Sequence, residues 1–216
     1  MLPNLTNVYV KNDKAEVKIL IEKAFQITLS VVLACSICYV IFGRQVLEFL
    51  YSRTLSSDEI VISTKLLLFG GVNLIFLSLV YISSSILQAV GKQRQAARSI
   101  LIGSAIKILL TIALVSVKEI NILGAMISGG ASYLIAFFIN FNCIRKSCEF
   151  DMTKLIFNVA IQECFVCLFA FLANGLLSFR FGSEIALFVG GIIAILVFIL
   201  TYYFLFFEKK SKKISS

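Results

Sequence analysis

The sequence predicts an all-α, polytopic membrane protein: six transmembrane helices with both ends cytoplasmic. Three observations carry this: six apolar runs of spanning length, no alternating strand pattern, and a lopsided distribution of lysine and arginine. Of the 216 residues 59% are hydrophobic, above the roughly half expected of a soluble domain. The runs are residues 24–42, 66–90, 100–117, 120–144, 155–179 and 185–207. Each has about 18 residues or more, enough to cross roughly 30 Å of hydrocarbon at about 1.5 Å per residue. Helices are the expected form, because lipid offers the backbone no hydrogen-bond partners.

The chain divides into an amphipathic cytoplasmic segment (1–23), a six-helix membrane domain (24–207) and a basic cytoplasmic tail (208–216). The first run follows a charged stretch with no small-residue cleavage site, so it reads as a span and not a secretory leader. Within 12–23, charges alternate with Val17, Ile19, Leu20 and Ile21, the pattern of a surface helix running into the first span. Residues 43–64 form the longest outer connection. Its Val46, Leu47, Phe49, Leu50 and Tyr51 predict a short interfacial helix. The other connections are short, so successive spans should be antiparallel neighbours.

Orientation comes from charge. With both ends cytoplasmic, one side holds Lys11, Lys14, Lys18, Lys23, Lys92, Arg94, Arg98, Arg145, Lys146, Lys154, Lys209, Lys210, Lys212 and Lys213. The other holds only Arg44, Arg53, Lys65, Lys118 and Arg180. The excess belongs on the cytoplasmic face. The net charge of +8 therefore points to a membrane and its anionic lipids, not to nucleic acid, for which no soluble basic domain exists.

Small residues mark packing faces. Gly124, Ser128, Ser132 and Ala136 repeat every four residues, as do Ala186, Gly190 and Ala194, and Ser30, Ala34 and Cys38. The pairs Cys35/Cys38 and Cys164/Cys167 lie inside apolar runs of a chain without histidine. They read as small apolar residues, not as redox or metal groups.

Polar residues within the runs are the candidate site. Asn73, Tyr81, Ser84 and Gln88 fall within an arc of about 80° on the second span. Ser104, Lys107 and Thr111 share a face of the third. A short loop joins the two spans, so these faces are expected to line one cavity. Lys107 is the only charge in its run, and a lysine at mid-depth costs about 2.5–3.5 kcal/mol. It reads either as a cationic lining for an anionic substrate or as a residue that snorkels or pairs. Glu163 is the acid well inside a span. Lys107 lies nine residues beyond Arg98 and Glu163 nine beyond Lys154, each about 13 Å from the inner boundary. Equal depth permits an ion pair; alternatively, Glu163 is a proton site. No catalytic constellation, cofactor site or metal site is expected, and the chain is not read as an enzyme.

The segment SSSILQAVGKQRQAARSILIGSAIKILLTIALV, followed by INILGAMISGGASYLIAFFIN, resembles polysaccharide-transport flippases. It is most similar to the stage V sporulation protein B group of the multidrug/oligosaccharidyl-lipid/polysaccharide exporter superfamily. The matching elements are LQAVGK at a span end, Lys107 in IKILL, and INILGAMIS opening the next span; LPNLT at residues 2–6 resembles the end of an earlier span. Thr111 stands where the pattern has asparagine. The resemblance implies the last six helices of a fourteen-helix flippase. It also implies movement of lipid-linked saccharides across the bacterial plasma membrane, with a missing N-terminal lobe as partner. Two alternatives are a multidrug or cation antiporter fragment of the same superfamily and a non-transporting membrane scaffold.

Overall fold

A computed structural model of the protein describes residues 2–118, 120–148 and 153–204. These form helices α1 (Leu2–Val10), α2 (Lys14–Tyr51), α3 (Ser57–Ala89), α4 (Gln93–Val115), α5 (Ile122–Ser147), α6 (Thr153–Phe181) and α7 (Ser183–Tyr202). Among the described residues there is no strand. Six helices, α2 to α7, are long and apolar enough to cross a membrane, as the sequence predicts. Only 11% to 33% of each apolar window is buried inside the protein. So much outward apolar surface needs lipid as its solvent. The tail at 208–216 lies outside the described residues.

Local chemistry fixes the helix ends. α1 stops where Asn12 adopts a left-handed φ of 57°, which asparagine tolerates better than most residues. Asp13 then caps α2 by accepting the Glu16 backbone N–H at 3.0 Å. Ser56 and Glu59 form a reciprocal capping box before α3: the Ser56 N–H donates to Glu59 Oε2 at 2.8 Å and the Glu59 N–H to Ser56 Oγ at 3.4 Å. α3 ends in a Schellman motif. Gly91, at φ 76°, donates to the Gln88 carbonyl, and the Lys92 N–H reaches back to Leu87.

One sequence expectation is corrected. Val46 to Tyr51 do not form a separate interfacial helix. They are the last turns of α2, which continues unbroken for 38 residues. At about 1.5 Å per residue α2 extends roughly 57 Å, far beyond the hydrocarbon thickness. The capping box likewise starts α3 nine residues before the expected 66, so the connection shrinks to a tight turn.

The chain forms two compact units. Unit 1 comprises Met1–Val32 and Val72–Leu155; unit 2 comprises Leu33–Gly71 and Ile156–Ser216. In unit 1, α5 is central. α4 runs antiparallel to it, with Gly103 against Ser132 and Ala136 and Gly124 against Leu114. α3 runs parallel to it, with Asn73 beside Met126 and Gly130. The expected stripe Gly124, Ser128, Ser132, Ala136 is buried throughout, because small side chains let the backbones approach. In unit 2, Phe42, Ala170 and Ala194 form a buried cluster, and Phe42 lies against Gly190. Gln45 Nε2 donates to Asn174 Oδ1 at 2.8 Å.

A Cβ at Gly124 would sit 2.8 Å from Leu114 backbone and side-chain carbons, whereas one at Gly175 would meet nothing within 4 Å. Gly124→Val is therefore predicted to destabilise by about 1–3 kcal/mol through overpacking. Gly175→Ala should be neutral or slightly stabilising. Thermal unfolding in detergent distinguishes the two.

Candidate transport site

Two helices of unit 1, α3 and α4, carry all the candidate residues but Glu163, and α5 organises them. Asn140, fully buried, satisfies its whole amide across two helix interfaces. Its Nδ2 donates to Ser84 Oγ at 2.9 Å and Ser83 Oγ at 3.2 Å on α3. Its Oδ1 accepts from Ser99 Oγ on α4 at 2.6 Å. Toward the other end of the layer, Asn73 Nδ2 donates to the Met126 carbonyl at 2.8 Å. Thr111 and Ser128 share a hydrogen bond of 2.6 Å.

These bonds divide the expected site residues. Asn73, Ser84 and Thr111 are engaged in helix–helix contact with α5. Tyr81, Gln88, Ser104 and Lys107 are exposed. Asn140 and Ser99 had no place in the sequence reading, yet a signal existed: one more four-residue step from Ala136 lands on Asn140.

Lys107 stands between two tight points of the α4–α5 seam, Gly103 and Thr111. Its ammonium swings out over the Tyr133 ring, 5.8 Å from the centroid. An exposed cation–π contact contributes about 0.5–1 kcal/mol. That falls short of the roughly 2.5–3.5 kcal/mol that a mid-span lysine costs.

Glu163 belongs to unit 2 and Lys107 to unit 1. Glu163 is 7% exposed on α6, and neither carboxylate oxygen has a hydrogen-bond partner. Gln162, beside it, is fully buried, and Asn158 half-buried. All six cysteines are free.

The fold and this polar layer define a multi-pass helical membrane protein with an outward-facing cation at mid-span. The profile of the lipid II flippase MurJ family matches residues 1–198, and the chain belongs to that family. Its members are transporters, not enzymes, that carry lipid-linked precursors across the bacterial inner membrane, where this chain resides as a multi-pass protein. The flippase superfamily expected from LQAVGK and INILGAMIS is thus the right one. Nothing matches among curated proteins or solved structures.

Asn140→Leu should lower unfolding stability by about 1–2 kcal/mol, because three hydroxyl partners lose their bonds to a saturated amide. A double-mutant cycle with Ser99→Ala should give a coupling of roughly 0.5–1.7 kcal/mol. Strict additivity would remove Asn140 as the link between α4 and α5.

Proposed function

We propose that this chain forms part of the pathway for a saccharide carried on a lipid diphosphate, with Lys107 as the cation that meets the diphosphate. The carrying observation is the exposed mid-span ammonium over Tyr133, which needs an anion or water to be tolerable in a bilayer. Ser104, Tyr81 and Gln88, all exposed, would contact the saccharide. Lipid II, named by the family, is the substrate we favour; the related precursors of polysaccharide export share its diphosphate. The end carrying Lys14, Lys92, Arg94, Arg98, Arg145 and Lys146 would face the cytoplasm. A second lobe would supply the wall opposite Lys107, so that access alternates around the site.

The buried, unpartnered carboxylate of Glu163 favours a second role in the same cycle, as the site of a coupling proton or cation. An antiporter would also use such a group, with drug efflux as its readout. A scaffold would use neither residue for transport.

Complementation of a flippase-depleted bacterium, with the second lobe supplied, separates these readings. Lys107→Ala should abolish growth at normal membrane abundance, and Lys107→Arg should retain it. Glu163→Gln should remove the ion dependence of transport. Full complementation by Lys107→Ala would sink the site assignment. Changes in folded amount alone, for both residues, would favour the scaffold.

A further inference from the structure

Where α1 meets α2 and α5 ends, unit 1 holds a cavity of about 570 Å³. Four of its ten lining residues are cationic: Lys14, Lys18, Arg145 and Lys146. None of these lining residues is acidic. The cations converge from two directions. Lys14 and Lys18 lie one turn apart at the start of α2; Arg145 and Lys146 occupy the last turn of α5. Lys92, from the α3–α4 connection, hydrogen-bonds Ser147 Oγ on the lining and adds a fifth cation at the rim.

Among the described residues, the ion pair at this cluster is weak. Glu22 lies 3.9 Å from Lys18, but both side chains are substantially exposed, and such i,i+4 pairs contribute little. Burial pushes the Cys148 thiol up despite the opposing pull of Lys92, so it adds no negative charge. Like charges gathered in a concavity repel one another, and an anion between them reverses that cost.

We propose that this cavity binds the anionic phosphate headgroup of a membrane lipid. Arginine and lysine from two helices match a phosphate's oxygens. The volume lies within the roughly 300–1,000 Å³ of small-molecule sites. A lipid is the source because both helices leave their apolar stretches here, and Tyr9 on the lining is an interfacial residue type. This site is separate from Lys107, which lies near the middle of α4.

The chain contains no tryptophan, so Tyr9→Trp gives a single fluorescent reporter on the lining. In phosphatidylcholine vesicles, brominated phosphatidylglycerol should quench it at a several-fold lower mole fraction than brominated phosphatidylcholine. Adding Arg145→Gln and Lys146→Gln should weaken that quenching about thirtyfold, from roughly fivefold per cation. The charge-retaining pair Arg145→Lys and Lys146→Arg should preserve it, as should Arg53→Gln with Lys65→Gln in unit 2. Equal quenching by the two lipids, or equal loss in the Arg53/Lys65 pair, overturns the site. Reversal of quenching by millimolar inorganic phosphate overturns the lipid as source in favour of a free anion.

Discussion

A polar side chain inside a bilayer must find its partner within the protein, and unit 1 is built around that constraint at Asn140. Its one amide bonds α3 through Ser83 and Ser84 and α4 through Ser99. Association of helices in lipid gains little from apolar burial, since the tails are as apolar as leucine. Close backbone contact and internal hydrogen bonds must hold the layer together instead. The buried stripe from Gly124 to Ala136 supplies the first, and Asn140, Asn73 and Thr111 supply the second.

That arrangement gives Lys107 its meaning. Asn73, Ser84 and Thr111 are consumed by contact with α5. Lys107 is held more weakly: Gly103 and Thr111 bring α4 tight against α5 on either side, and its ammonium lies 5.8 Å from the centroid of the Tyr133 ring. A cation so placed is poorly compensated by its own layer. In a family that moves lipid-linked precursors, an anion on the far side of that cation is the economical reading.

Much of this was legible in the sequence, for identifiable reasons. Spans follow from run length, and the small-residue stripe from its four-residue period. The end of α3 falls where the apolar run 66–90 stops. The end of α2 was misread because Val46 to Tyr51 are amphipathic enough to suit an interface, while nothing before Ser52 breaks the helix. The partition of polar residues was not legible. Asn73 and Tyr81 share an arc, yet one bonds Met126 and the other is 64% exposed; only the position of α5 decides which. The pairing of Asn174 with Gln45, far away in sequence, was equally hidden.

In the proposed pathway the Lys107 face of α4 meets water while the opposite face meets lipid. Its most direct test is thiol accessibility in a cysteine-free background, with single cysteines at Lys107, Ser104, Leu109 and Ile112. Leu109 and Ile112 are 69% and 65% exposed, so exposure alone does not separate them from Lys107. In native membranes a membrane-impermeant maleimide should label positions 107 and 104 and leave 109 and 112 unreacted. Equal labelling at all four positions, or protection of 107 alongside 109, would contradict the account.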